Sequence, residues 1–147
     1  MLRHSSFDPE AELSQFRARQ GAAGAVVSFV GVARAQAKDG RRVLNLFLEH
    51  HPRLTNTSLE RIASDARSKF AVEDVLVVHR CGDIASGEPI VLAAAAARHR
   101  RAAFEAVDYL MDRLKSDAIF WKREDREDGS EWIEPTDDDA RDLARWS

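Results

Sequence analysis

Nine consecutive residues, 89–97 (PIVLAAAAA), carry no polar side chain and limit how this chain can fold. Alanine favours helices, but the run follows the turn residues Gly82 and Gly87 and precedes a basic cluster that begins at Arg98. A short apolar run bounded by turn residues is typical of a buried strand. We therefore predict a buried strand over 89–97, against which other elements must pack.

Five further segments are predicted to be strands from their apolar, β-branched or alternating composition. They cover residues 23–33, 42–50, 74–80, 118–122 and 131–134. Asp39-Gly40 lies in a polar loop between the first two of these strands, so the two could pair antiparallel. Asp128-Gly129 predicts a hairpin between the last two.

Three segments have the apolar spacing of helices. They cover residues 9–19, a segment that follows Pro52 and ends near Phe70, and residues 98–116. Asp8 is expected to cap the first helix, and Thr55 or Thr57 the second. The residues of the third helix expected to face the core are Phe104, Val107, Met111 and Leu114.

The element order α, β, β, α, β, β, α, β, β predicts an α+β fold, with helices packed on a mainly antiparallel sheet. A length of 147 residues fits a single domain over 1–147. We expect its core over 23–134. The acidic C-terminal tail, 135–147, is expected to be a solvated helix or a frayed end.

The charge balance narrows the classes of partner. The chain carries 22 Lys and Arg against 25 Asp and Glu, a formal net charge of −3. This excludes a general nucleic-acid binder that depends on phosphate contacts. No stretch of about 18 apolar residues occurs and the N-terminus lacks a signal-peptide pattern, so we expect a cytoplasmic protein with no membrane partner. The glycine-rich phosphate loops and the nucleophile elbow are absent, and no cofactor is predicted.

The sequence also predicts no metal site. Cys81 is the single cysteine, which excludes an internal disulfide, and we interpret it as a small buried hydrophobic residue. His50 and His51 are adjacent, so they would point to opposite sides of a strand. His79 and His99 are isolated in sequence, and no metal-binding spacing links them.

The basic cluster Arg98, His99, Arg100 and Arg101 lies where the third helix is expected to begin. Cations at the positive end of a helix dipole cost stability unless an anion neutralises them. Arginines beside the free N–H groups of a helix start form a phosphate site. The alternative interpretation is a set of solvated arginines.

Two lysines and one arginine are the other candidates for chemistry. Lys115 lies at the end of the same helix, where a cation is also favoured for purely structural reasons. In an alternating strand Phe120, Lys122 and Glu124 share one face, which places an ammonium group beside apolar side chains and would lower its pKa. Arg34 follows the first strand. Taken alone, Lys115 and Lys122 are each better explained as surface residues.

Several segments together resemble one family, the large catalytic subunits of molybdopterin synthase. They are SFVGVAR (28–34), LFLEHHP (46–52), VVHRCGDIASGEP (77–89), RHRRAAFEAVDYLMDRLKSDAIFWKRE (98–124) and GSEWIE (129–134). Their order along the chain is that of the family. His51, Arg53 and Arg98 depart from the family's pattern and affect the expected rim of the pocket.

The resemblance implies a sulfurtransferase of molybdenum cofactor biosynthesis that converts cyclic pyranopterin monophosphate to molybdopterin. It implies an α/β hammerhead fold and a homodimer within a heterotetramer. The partner would be a small ubiquitin-like sulfur carrier with a C-terminal Gly-Gly thiocarboxylate. The residues matched to family roles are the catalytic Lys115 and Lys122, the substrate-binding Arg34, His99 and Arg100, and Arg123 and Glu124, which extend the site.

An alternative hypothesis, in which the protein is not an enzyme, stays open. A non-catalytic anion-binding or scaffold protein would use the cluster Arg98–Arg101 to bind RNA or a phosphoprotein, with no turnover.

Overall fold

A computed structural model describes all residues, 1–147. The elements in chain order are β1 (Leu2–Arg3), α1 (Pro9–Ala18), β2 (Ala25–Val32), β3 (Val43–His50), α2 (Leu54–Lys69), β4 (Asp74–Arg80), β5 (Gly82–Ala85), β6 (Pro89–Ala97), α3 (Arg100–Ser116), β7 (Phe120–Arg126), β8 (Gly129–Ile133) and α4 (Asp137–Ala144). The strands form two sheets in which antiparallel pairs dominate. The predicted α+β class is confirmed.

The first sheet has the strand order β1-β4-β6-β2, and its alanine-rich strand β6 pairs antiparallel with β4 and β2. Ala93 and Ala95 belong to the core cluster formed with α2 and α3, whereas Ala94 and Ala96 pack with Phe16 of α1. All four alanines are fully buried. Their small side chains let helices approach both faces, so the predicted buried strand is confirmed.

The second sheet has the order β5-β3-β7-β8 and is antiparallel throughout. The predicted hairpin at Asp128-Gly129 joins β7 to β8, and Gly129 takes the positive φ that this turn requires. The predicted pairing of β2 with β3 is wrong. β2 pairs along its whole length with β6, and the segment 33–42 carries the chain into the other sheet, leaving one bridge between Gln36 and Arg42.

The face that helix α3 buries differs from the predicted one. Val107 and Leu114 are buried, but Phe104 is 59% exposed. The core-facing stripe runs instead through Ala103, Ala106, Val107 and Leu110. At about 100° per residue, Phe104 lies roughly 60° beyond the edge of this stripe, so the expectation that it is buried is wrong.

Helix α2 begins at Leu54 and is capped by neither Thr55 nor Thr57. The Nδ1 atom of His51 accepts hydrogen bonds from the backbone N–H groups of Arg53 and Leu54, at 3.2 and 3.0 Å. Thr55 is buried, and its hydroxyl donates to the Ile119 carbonyl. The departure from the family at His51 therefore has a local role as a cap.

The C-terminal tail folds back on the helical layer, so the alternative of a frayed end is wrong. Thr136 and Asp139 form a capping box at the start of α4. Trp146 stacks edge-on against Phe70 and Tyr109, and its indole N–H donates to Asp112 at 2.6 Å. No helix in the chain combines the length and the apolar character needed to cross a membrane.

Candidate active site

The end of α3 and the start of β7 position the two lysines. Lys115 lies in the last turn of α3, and the chain enters β7 four residues after this helix ends. In the β3–β7 register Lys122 lies opposite Leu48, so the two side chains share one face of the sheet. Leu48 is buried in a core cluster with Leu46 and Ile84. The aliphatic part of Lys122 therefore starts beside apolar atoms.

The pKa of Lys122 is lowered, chiefly because the surrounding atoms desolvate its ammonium group and also because Lys115 and Arg34 bring positive charge near it. Glu124 acts in the opposite direction and favours the charged form. The structure thus brings four of the sequence-predicted site residues within electrostatic range of one another. The direction of this shift agrees with the one expected from the sequence.

The cations of this cluster have no carboxylate partner. Lys115, Lys122 and Arg34 form no ion pair within 4.0 Å, whereas Glu124 contacts Arg126 at 3.7 Å. Three unpaired cations held near one another repel, and the repulsion is relieved when an anion binds between them. The arrangement is therefore suited to an anionic group such as a carboxylate, thiocarboxylate or phosphate.

Asp139 of α4 is a neighbour of this cluster that sequence reasoning missed. Burial alone would raise the pKa of the Asp139 carboxyl. Hydrogen bonds from Thr136 and the positive charges of Lys115 and Lys38 outweigh this effect, so the pKa is lowered. The T-x-x-D spacing of Thr136 and Asp139 marks a helix start in the sequence. It carries no information on where that helix packs.

His79 was also missed as part of this region. Its ring is buried and stacks on Phe120, with 4.3 Å between ring centroids. Desolvation by burial lowers the pKa of His79 to about 4, and the charge of Lys115 contributes to this. Nδ1 lies 2.9 Å from the Arg80 carbonyl, so the neutral ring donates its proton there. His79 is a neutral support beneath the strand that carries Lys122.

The basic cluster lies at the other end of α3. His99 is the residue before the first turn, and Arg98, Arg100 and Arg101 are exposed with no acidic partner. Gly24 makes room for this helix start, because a Cβ atom there would come within 2.5 Å of the Arg98 carbonyl oxygen. Fifteen residues at a rise of about 1.5 Å each separate Arg100 from Lys115 by about 22 Å. A single chain therefore does not bring the predicted His99 and Arg100 to the lysines.

Arg123 points to the opposite face of β7 from Lys122. Its guanidinium binds Asp125 at 2.7 Å and lies over the rings of Phe47 and Trp132, at 4.6 and 5.6 Å. These contacts hold the side chain on the outer face of the second sheet. The structure does not bring Arg123 to the cluster of Lys115, Lys122 and Arg34.

Comparison with known proteins identifies the family. A family model described as MoaE protein matches residues 2–117. The chain belongs to the MoaE family. The molybdopterin synthase catalytic subunit of Caulobacter vibrioides is 48% identical over 145 residues, which cover 99% of this chain and 95% of that protein. The match to the family model includes Arg34, His99, Arg100 and Lys115, and the longer match to this relative extends over nearly the whole chain.

Solved structures of MoaE proteins share the fold. The molybdopterin biosynthesis MoaE protein of Burkholderia ambifaria aligns with a TM-score of 0.82 at 39% identity, covering 99% of this chain and 95% of that one. A more distant neighbour, at 19% identity and a TM-score of 0.75, comes from a structure of Helicobacter pylori; it covers 90% of this chain and 88% of that chain. That structure is a complex of subunits 1 and 2 of molybdopterin-converting factor, and at this identity the likeness shows the fold alone.

Proposed function

We propose that this MoaE-family chain is the catalytic subunit of a molybdopterin synthase, which converts cyclic pyranopterin monophosphate to molybdopterin. The observation that carries the proposal is the cluster of Lys115, Lys122 and Arg34, which holds three cations near one another with no carboxylate within ion-pair distance, although Glu124 and Asp139 lie nearby. Relatives at 48% and 41% identity are named molybdopterin synthase catalytic subunits, which supports this activity, and the reaction is a sulfur transfer.

The cluster can perform two tasks in such a reaction. Fixed cations stabilise negative charge that develops on oxygen or sulfur in the transition state. Lys122 has a lowered pKa and can also exchange a proton with the reacting group more readily than an ordinary surface lysine. Lys115 and Arg34 need only their charge for the first task. Glu124 favours the charged form of Lys122.

The sulfur donor in this proposal is a small ubiquitin-like partner whose C-terminal Gly-Gly ends in a thiocarboxylate. An extended, negatively charged tail suits a cationic cluster whose members sit at the ends of elements. A cytoplasmic location belongs to the proposal too, and the free thiol of Cys81 suits a reducing compartment.

A homodimer completes the proposed site. His99 and Arg100 lie about 22 Å along α3 from Lys115, too far for one chain to close around a small pterin. A two-fold axis can bring the start of α3 in one chain to the end of α3 in another. Edge strand β2 exposes the apolar side chains of Phe29, Val30 and Val32, which a second copy would cover.

Reconstitution tests the proposal. The purified chain is mixed with the thiocarboxylated partner and cyclic pyranopterin monophosphate, and molybdopterin is measured. Turnover that depends on both additions supports the proposal. Salt-sensitive binding of RNA or a phosphoprotein through Arg98–Arg101, with no turnover, would instead support the non-catalytic alternative.

A further inference from the structure

Three potential metal ligands meet where the two sheets join. They are His4, which follows β1, His50, the last residue of β3, and Cys81, which lies between β4 and β5. Their ligand atoms all lie within 4.8 Å of one another. The segments are remote in sequence, and for this reason no motif of ligand spacing could reveal the cluster.

We propose that His4, His50 and Cys81 form a site for a zinc-type divalent metal ion. Two imidazole nitrogens and one thiolate are ligands that Zn²⁺ prefers. The proposal replaces the sequence prediction of no metal site. That prediction considered only ligands related by their spacing in the sequence, whereas the fold brings together two histidines and a cysteine from three remote segments.

One of the three ligand-to-ligand distances already fits the coordination sphere of such an ion, and the other two are at most 4.8 Å. Cys81 Sγ and His4 Nδ1 are 3.3 Å apart. In a tetrahedral site with bonds of about 2.0–2.3 Å, neighbouring ligand atoms lie about 3.3–3.6 Å apart. The two imidazole rings meet edge-on with 5.0 Å between centroids, so neither ring blocks the other. His4 is exposed, and rotation of its side chain can bring the remaining ligand atoms into range.

The backbone holds the ligands from both sheets. Cys81 N–H donates to the Arg3 carbonyl at 2.9 Å, which fixes the segment that carries His4 against the segment that carries the thiol. Leu48 pairs with Gly82, so the end of β3 lies beside the same corner. The His50 ring makes no hydrogen bond within the chain, which leaves its nitrogen atoms free to bind a metal ion.

The electrostatic surroundings permit a cation. Arg80 is the charged neighbour of Cys81, and its guanidinium is neutralised by Glu88 at 3.2 Å and further held by the Asp83 carbonyl at 2.6 Å. The Cys81 side chain is 1% exposed, and burial raises the pKa of its thiol. A metal ion must therefore displace the thiol proton, which passes to solvent as the metal–sulfur bond forms. Three protein ligands leave a fourth position for water.

The site would link β1, β3 and the β4–β5 corner, and so stabilise the junction of the two sheets. Binding to the folded chain alone raises the unfolding temperature. This consequence is independent of sulfur transfer, and its test uses neither substrate nor partner.

Cobalt and zinc titrations of the untagged chain test the site. Co²⁺ should bind at one equivalent and give the thiolate-to-metal charge-transfer band and the intense visible bands of tetrahedral cobalt, and Zn²⁺ should displace it. Cys81→Ser should abolish the charge-transfer band and weaken Zn²⁺ binding roughly 100-fold, and His4→Ala and His50→Ala roughly tenfold each. Calorimetry gives the affinities, and thermal melts with and without Zn²⁺ give the stabilisation.

His51→Asn is the matched control. It removes a histidine next to the cluster, and asparagine can still accept the hydrogen bonds that cap α2. This variant should bind Zn²⁺ as the wild type does. His4→Ala keeps the test decisive if Cys81→Ser fails to fold, since His4 is exposed. Absence of the charge-transfer band in the wild type, or equal Zn²⁺ affinity in wild type and His4→Ala, would overturn the proposal.

Discussion

The His79 ring lies against the Phe120 ring, with centroids 4.3 Å apart and planes inclined by 22°. His79 belongs to β4 of the first sheet and Phe120 to β7 of the second, so this stack joins the two sheets beneath the strand that carries Lys122. The stack buries an imidazole that must stay neutral. A pH dependence of stability follows from it.

Stability should fall as the pH falls below about 6.5. The pKa of His79 is lowered from 6.5 to about 4, so between these values the unfolded chain binds a proton that the folded chain does not. The contribution is fully present above pH 6.5 and is lost progressively on acidification. At about 1.4 kcal/mol per pH unit, roughly 2 kcal/mol should be lost between pH 6.5 and pH 5.

Denaturant unfolding of wild type and His79→Phe at several pH values measures this. Phenylalanine keeps a ring against Phe120 and removes the titrating group. The free energy of unfolding of the variant should depend less on pH over this window, by about 2 kcal/mol. Parallel curves for the two proteins would show that His79 is not the titrating group.

Lys115→Ala and Lys122→Ala should each lower molybdopterin formation by roughly 100-fold or more, because each removes a group proposed to stabilise charge or transfer a proton. Lys115 lies in the last turn of α3 and Lys122 lies within β7, but both residues are exposed, so circular dichroism and melting temperature should stay close to the wild type. Lys69→Ala is the control. It removes an exposed lysine at the end of α2, and its turnover should be unchanged. Near-normal turnover in Lys115→Ala or Lys122→Ala would remove that lysine from the mechanism.

The sequence alone predicts where helices and strands lie better than it predicts which of them pack beside one another. The alanine run of β6, the Asp8 cap and the β7–β8 hairpin depend on local composition, and each is confirmed. β1 and β5 have two and four residues and no periodicity to detect, so they were missed. The wrong pairing of β2 with β3 has the same origin, because a polar loop shows that the chain turns but not which sheet it enters.

In the candidate site, too, only the features that depend on local sequence could be predicted. Alternation along β7 predicts that Lys122 and Glu124 share a face and that Arg123 lies on the other, as the structure shows for their neighbours and ion pairs. Asp139 and His79 come to the lysines only through the packing of α4 and the stacking of the two sheets. Contacts of this kind depend on tertiary structure and leave no short-range pattern in one sequence.

Trp146 should stabilise the fold although it is the penultimate residue. It packs between Phe70 and Tyr109 and donates to the buried carboxylate of Asp112. Trp146→Ala should lower the free energy of unfolding by about 2 kcal/mol, less than for a fully buried tryptophan. Trp132→Ala, at a half-exposed ring on β8, should cost less. An equal loss in both variants, measured by urea unfolding, would contradict a docked tail.

Removal of the last two glycines from the sulfur-carrier partner should weaken its binding and abolish product formation. The extended tail is expected to lie in a groove near Lys115 and Lys122, with the ammonium groups neutralising its terminus. Calorimetry with the intact and the shortened partner measures the affinity. Unchanged affinity together with unchanged product yield would show that this chain does not recognise the tail.

Mixed dimers test whether two chains share one site. Arg100 and Lys115 lie at opposite ends of α3, about 22 Å apart, so a two-fold dimer would combine Arg100 of one chain with Lys115 of the other. Arg100→Ala and Lys115→Ala chains, each inactive alone, are mixed in equal amounts under conditions that allow exchange.

In a mixed dimer with shared sites, one site keeps both residues and the other lacks both. Random exchange makes half of the dimers mixed, so roughly a quarter of the wild-type activity should return. If each site lies within one chain, every site keeps one defect and mixing restores nothing. Native mass spectrometry confirms the exchange, and no recovery in a sample with confirmed mixed dimers would exclude the shared site.

A mixture of Lys115→Ala with Lys122→Ala chains is the matched control. Both of these residues belong to the same cluster of one chain, so each site keeps one defect and activity should not return.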